Sequence, residues 1–374
     1  MGMKLPFYET NLGKAYCSDC LELMNNMAPE IVDLVITSPP YALRKKKSYG
    51  NVSADKYCDW FMPYAKAIHR LLKPSGSFVL DIGGAWNKGQ PTRALYHFKL
   101  LLRLCDDSTL FNLAQEFYWY NPAKLPAPAQ WVTIERIRVK DAVNPIWWLS
   151  KTPRPKSSNL RVLKPYTKSM EYLLSKGYTD GKRPSGHIIS KNWGKRQEGA
   201  IPPNIIIAAN TKSTDKYIKA CKRYGLEVHP ARFVEAIPEF FIKFLTEPKD
   251  LVLDPFSGSN VVGEVSEKLE RKWISIEINE DYVIGSSFRF DGPGITIYRD
   301  QMDKNPPRMP LNSSNSPLSP TKETRMETEK KVNEQSSEDC SEDVGDQEGT
   351  PVVTSANDVG HSDGIDFLDS GWWM

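Results

Sequence analysis

Four short apolar runs in this 374-residue sequence stop abruptly at turn residues, and helical spacing fills the intervals between them. Ile31–Thr37 ends at Ser38-Pro39-Pro40. Ser77–Ile82 follows the turn Lys73-Pro74-Ser75-Gly76 and ends at Gly83-Gly84. Leu251–Leu253 ends at Asp254-Pro255, and Trp273–Ile278 ends at Asn279-Glu280. Runs this short, and apolar at consecutive rather than alternate positions, suit parallel strands buried on both faces. The aromatic-rich stretches Phe117–Tyr120 and Ile146–Leu149 are further strand candidates. Between them, Phe61/Ala65/Ile68/Leu72, Leu95/Phe98/Leu102/Cys105 and Tyr217/Cys221/Tyr224 recur at helical spacing. The alternation predicts an α/β fold whose ligand crevice lies at the carboxyl ends of the strands.

Charge divides the chain. The formal net charge of +3 averages a segment from 301 to 374, with six Lys/Arg against 15 Asp/Glu, and a body that carries +12. The 301–374 segment has few large apolar residues and no periodicity, so an acidic disordered tail is expected there. Its role is open between a plain spacer and a docking peptide for an unknown partner. Within the body, residues 151–200 hold 12 Lys/Arg and three acidic residues, interleaved with Tyr166, Tyr172, Tyr178, His187 and Trp193. Basic residues mixed with aromatics suit a phosphate backbone, and a solvated basic loop is the competing reading. A second basic run, Arg44-Lys45-Lys46-Lys47, suits phosphate contact beside the corner described next. No apolar run reaches the ~20 residues of a membrane span, and Met1–Thr10 lacks a signal-peptide core. The six cysteines are scattered as in a reducing compartment, and Cys17-Ser18-Asp19-Cys20 has no second ligand pair, so no metal is expected. An intracellular soluble protein without membrane contact is therefore expected, in cytoplasm or nucleoid, or in the nucleus of a eukaryotic host.

Two motifs carry chemistry. In Asp254-Pro255-Phe256-Ser257-Gly258-Ser259-Asn260, a strand passes through a turn of small residues into a helix starting near Val261. Such a turn aims backbone N–H groups and the positive end of a helix dipole at a ligand. Glu277, after the next strand, is spaced to hold ribose hydroxyls, so the pair points to a nucleoside-containing cofactor. In Thr37-Ser38-Pro39-Pro40-Tyr41, consecutive prolines make a rigid corner at the end of a strand. That corner offers the Ser38 hydroxyl and the Ser38 and Pro39 carbonyls as acceptors beside the Tyr41 ring, a combination suited to a planar group bearing an NH2.

Ser-Pro-Pro-Tyr followed far downstream by Asp-Pro-Phe-x-Gly-Ser resembles the S-adenosylmethionine-dependent DNA amino-methyltransferases. The order of catalytic corner, basic insertion and cofactor turn is similar to their permuted β class. Leu72–Gly84, Asn144–Thr152, Pro184–Ile189, Gly199–Asn210 and His229–Phe233 support the likeness, which covers roughly residues 8–290. It implies a Rossmann-like methyltransferase sheet in circularly permuted order. The expected division is a catalytic part at 1–150, a target-recognition insertion at 151–212, a cofactor-binding part at 213–300 and the tail beyond. Ser at the head of the corner is the form usual among N4-cytosine enzymes. The resemblance thus implies transfer of a methyl group to N4 of a cytosine flipped out of double-stranded DNA, with N6-adenine methylation or a non-catalytic DNA-binding relative as alternatives. It assigns Ser38, Pro39, Pro40 and Tyr41 to catalysis, and Asp19, Phe233, Asp254, Pro255, Phe256, Gly258, Ser259, Asn260 and Glu277 to the cofactor. Asn260 stands where the family commonly has Gly. Arg44, Lys45, Lys46 and Lys47, with Arg183, His187, Lys191 and Arg196 of the insertion, are the candidate DNA contacts. No cysteine follows a proline, so the Pro-Cys nucleophile of C5-cytosine enzymes is missing.

Overall fold

The structure is a computed structural model that describes residues 5–42, 52–106, 110–176, 181–182, 184, 186, 188–189, 195–211, 215–290 and 295–298. The strands are β1 (Tyr8–Glu9), β2 (Gly13–Cys17), β3 (Val32–Thr37), β4 (Leu72–Asp81), β5 (Ala85–Trp86), β6 (Arg93–Ala94), β7 (Asn112–Tyr120), β8 (Val143–Ser150), β9 (Gly181–Lys182), β10 (Ile188–Ile189), β11 (Ile205–Ile207), β12 (Leu251–Asp254), β13 (Lys272–Glu277) and β14 (Thr296–Ile297). The α-helices are α1 (Cys20–Asn26), α2 (Tyr57–Leu71), α3 (Tyr96–Cys105), α4 (Lys168–Lys176), α5 (Lys216–Tyr224), α6 (Ala236–Leu245), α7 (Val261–Lys268) and α8 (Glu280–Ser287).

Ten strands form one mixed sheet in the order β11-β7-β8-β4-β3-β12-β13-β2-β1-β14. The central run β4-β3-β12-β13-β2 is parallel, as the four apolar runs predict. β8 lies antiparallel to both β4 and β7. Consecutive residues of the central strands face opposite cores. Val35, Phe78, Leu80 and Leu253 pack with α1, α2 and α3, whereas Leu34, Ile36, Val79 and Val252 pack with α6 and α7. Burial on both faces explains why these strands read as unbroken apolar runs. β3 leads to β4 on one side while its other neighbour β12 leads to β13, so chain direction across the sheet diverges between β3 and β12. A ligand crevice belongs at such a switch point.

Two expectations change. The turn Lys73–Gly76 does not precede β4 but bulges out of it, because Val32 pairs with Leu72 and Leu34 already pairs with Ser77. Leu72, expected on a helix, is therefore the first residue of a strand. The helix around Leu95–Cys105 forms, but in the opposite phase: Tyr96, His97, Leu100 and Leu104 are buried, while Leu95, Phe98 and Leu102 are 56%, 49% and 57% exposed. Both stripes keep helical spacing. Tyr96 decides between them, since its ring meets Tyr57 edge-on at 4.7 Å and its hydroxyl donates to the Gly83 carbonyl.

The 151–212 segment is tied to the sheet. β11 forms an edge strand parallel to β7, Lys156 pairs with Glu247 and Asp250, and Arg161 donates to the carbonyls of Lys243 and Phe244. The expected tail, the Arg44–Lys47 run, Arg183, His187 and Lys191 lie outside the described residues. Among those described, no helix is long and apolar enough to cross a membrane.

Candidate active site

The carboxyl ends of β3 and β12 are fastened together by the Thr37 hydroxyl, which donates to Asp254 Oδ1 at 2.6 Å. Beyond Thr37 the prolines turn the chain away from the sheet, and the Tyr57 hydroxyl fixes the corner by donating to the Pro40 carbonyl at 2.9 Å. Tyr41 then lies across Gly83 at the end of β4; a Cβ added there would stand 2.5 Å from the ring. Only a glycine lets the ring settle so low. The Ser38 and Tyr41 hydroxyls are 3.1 Å apart, and Asn144 Nδ2 of β8 donates to the Tyr41 oxygen at 3.3 Å.

Asp81, the last residue of β4, completes this half of the site and was not among the expected residues. It is 1% exposed, and its Oδ1 has no hydrogen-bond partner among the described residues. Burial pushes its carboxyl up to about 7, while hydrogen bonding from Tyr41, Asn144 and Ser38 pulls the other way. The same burial holds the Tyr41 phenol well above its ordinary range. An acid closing a buried apolar strand just before two glycines was a readable signal.

The other half is the turn after β12. Asp254 Oδ1 accepts from Phe256 N at 3.1 Å as well as from Thr37, and burial pushes Asp254 to about 7 against both bonds. Ser257 N donates to the Ile276 carbonyl at 3.0 Å, laying the turn along β13. Gly258 has φ +49°, and its N–H donates to Glu277 Oε2 at 2.9 Å. Glu277 Oε1 accepts from Ile278 N and Asn279 N at 3.0 and 2.9 Å. Burial raises this carboxyl, and the three backbone bonds hold it in place. His229 closes over the turn: a Cβ added at Gly258 would lie 2.9 Å from its Nε2. Its ring stands edge-on to Tyr282, and burial lowers its pKa to about 4.

Both halves open into one cavity of about 660 Å³. Its wall contains Asp19, Ser38, Pro39, Pro40, Tyr41, Phe233, Asp254, Pro255, Phe256, Gly258, Ser259 and Glu277, so two motifs more than 200 residues apart share one space. Asp19 also caps α1, with Oδ1 accepting from Glu22 N at 2.9 Å. Asn260 is the exception. Its backbone is left-handed at φ 55° and it caps α7, with Oδ1 accepting from Gly263 N at 3.0 Å and from the Ser275 hydroxyl. Its Nδ2 donates to the Tyr8 hydroxyl at 2.9 Å, so the side chain is spent in the core behind the turn. Arg196 lies apart from the cavity, gripping Glu171 with both guanidinium ends at 2.7 and 2.8 Å.

A doubly wound sheet that delivers a Ser-Pro-Pro-Tyr corner and a glycine turn with its facing acid to one cavity defines a Rossmann-like methyltransferase. Comparison with known proteins agrees: the chain belongs to the DNA methylase family, whose pattern matches residues 32–286. It is 50% identical over 290 residues to the type II methyltransferase M.PvuII of Proteus hauseri, covering 77% of this chain and 86% of that one. It is 27% identical over 279 residues to M.BglII of Bacillus subtilis, covering 74% and 68%. A solved structure described as PvuII DNA methyltransferase (cytosine-N4-specific) superposes with a TM-score of 0.63 at 45% identity, covering 78% of this chain and 91% of that one.

Proposed function

We propose that this chain methylates N4 of a cytosine extruded from double-stranded DNA, with S-adenosylmethionine as methyl donor. The observation that carries the reading is the shared cavity, in which hydroxyl and carbonyl acceptors face a turn built for a nucleoside. Its 660 Å³ falls within the usual range of ligand sites, roughly 300–1,000 Å³. The donor set suits the cofactor: Glu277 is preset for ribose hydroxyls, Asp19 lies in the wall for the adenine, and Asp254, Phe256, Gly258 and Ser259 surround the amino-acid end. When bound, S-adenosylmethionine supplies a methyl group activated by its sulfonium.

The remaining work belongs to the protein. Tyr41, backed by Gly83 and steered by Asn144, gives the base a fixed aromatic face. The Ser38 hydroxyl and the Pro39 carbonyl accept the two amine hydrogens, which orients the nitrogen lone pair toward the methyl group. The nitrogen gains a carbon and must lose one proton. Asp81, buried beside Ser38 with its carboxyl pushed up to about 7, receives it, whereas Asp254 is occupied in joining the two strands. Lys and Arg residues outside the cavity hold the duplex, with the 151–212 segment as the target-recognition part between catalytic and cofactor halves.

Replacing Ser38 or Tyr41 by Ala tests the assignment. Methyl transfer should fall at least about 100-fold, while calorimetric affinity for S-adenosylmethionine stays within about threefold of wild type. Retained transfer in both variants would contradict it.

A further inference from the structure

The connection between β7 and β8, residues 121–142, projects from the sheet at the mouth of the cavity. It was not among the sequence candidates for DNA contact. Its base is closed by Asn121 N donating to the Ala142 carbonyl at 2.9 Å. It is braced against the β5–β6 ribbon, where Arg93 pairs with Asp141 and Arg138 Nε donates to the Pro91 carbonyl at 3.1 Å. Three prolines (Pro122, Pro126, Pro128) and a one-turn π-helix at Gln130–Ile134 stiffen it further. Such a loop is preorganised, yet it holds large apolar side chains in water. Leu125 is 80% exposed, Ile134 68% and Val139 87%. Lys124, Arg136, Arg138 and Lys140 are interspersed with them, against Glu135 and Asp141.

We propose that this loop is a second DNA-contacting element, whose apolar tips press into the base stack beside the extruded nucleotide while its lysines and arginines take the flanking phosphates. Two observations favour a duplex over any other occupant. The loop is continuous with the cavity, since Lys124, Ala127, Pro128 and Asp141 form part of its wall, so a duplex delivering a base into the cavity lies against it. Its charge has the sign that a phosphate backbone needs, whereas a purely apolar protein partner would leave that charge without a counterpart. Leu, Ile and similar side chains are the ones proteins insert between base steps, where they offset lost stacking. The tips would thus lower the free energy of the flipped state, not merely the free energy of binding.

The proposal rests on the cavity's being the base pocket, and its test separates the two. The triple variant L125S/I134S/V139S should keep the wild-type melting temperature and S-adenosylmethionine affinity, because these side chains are exposed and none of them lines the cavity. On a duplex with a paired target cytosine its kcat/KM should fall at least tenfold. On the same duplex with an abasic site opposite the target, where no pair need be broken, the loss should stay within threefold. Equal losses on the two substrates, or no loss on the paired one, would overturn the proposal. So would sedimentation that found the wild type self-associated and the variant monomeric, which would assign the tips to a second copy of the chain. Failure of the wild-type chain to form N4-methylcytosine would instead contradict the base-pocket reading itself.

Discussion

At the scale of single residues, the site depends on two buried carboxyls given opposite tasks. Asp254 spends Oδ1 on Thr37 and on the N–H of Phe256, whereas Asp81, next to the Ser-Pro-Pro-Tyr corner, keeps Oδ1 without a partner among the described residues. Both are raised to about 7 by burial, so environment alone does not distinguish them; their hydrogen bonds do. For Asp81 the consequence for stability has a definite sign. Its folded pKa lies above the unfolded value of about 3.9, so between roughly pH 4 and 7 the folded state retains a proton that the unfolded state has released. Stability therefore falls as pH rises through that window. Asp81→Asn stays neutral throughout, and its stability relative to wild type should climb between pH 4 and 8 by up to about 4 kcal/mol. Methyl transfer by wild type should rise through pH 7 as Asp81 ionises, and the Asn variant should lack that limb. Urea unfolding at several pH values decides: a stability difference that does not move with pH would mean that Asp81 is not raised.

At the scale of elements, periodicity located the helices but could not always orient them. The stretch from Leu95 to Cys105 carries two apolar stripes of equal spacing, and the choice between them came from Tyr96 meeting Tyr57 and Gly83, residues distant in sequence. The phase is testable. Leu100→Ala or Leu104→Ala should destabilise by about 2–5 kcal/mol, whereas Leu102→Ala should change stability by less than about 0.5 kcal/mol, measured by urea unfolding. The reverse ranking would restore the stripe expected from spacing alone. The strands were easier to place, because burial on both faces makes them apolar at every position and turn residues mark their ends. Asn260 illustrates what spacing hides. Its position in the glycine turn suggested a ligand contact, but its left-handed torsion makes it a helix cap whose side chain serves Gly263, Ser275 and Tyr8.

At the scale of the whole molecule, the mixed sheet brings Ser38 and Asp254 together across 215 intervening positions, because β3 and β12 pair at the point where the chain's direction across the sheet diverges. That pairing was legible as two motifs on strand ends. Asp81 left a signal in its place at the end of an apolar strand ahead of two glycines, whereas Asn144 and Gly83 left none, since their roles exist only once β4 and β8 stand beside β3. Charge was legible as a total more than as a surface. Lys156, Arg161 and Arg196 of the basic insertion are engaged in ion pairs, while the loop at the cavity mouth adds four cations that composition did not single out. The central claim, methylation of N4 of cytosine in duplex DNA, is tested most directly by the modified base itself. Plasmid DNA incubated with the chain and S-adenosylmethionine, digested to nucleosides and weighed by mass spectrometry, should yield N4-methylcytosine from wild type and none from Ser38→Ala. N6-methyladenine or 5-methylcytosine in its place would contradict the account.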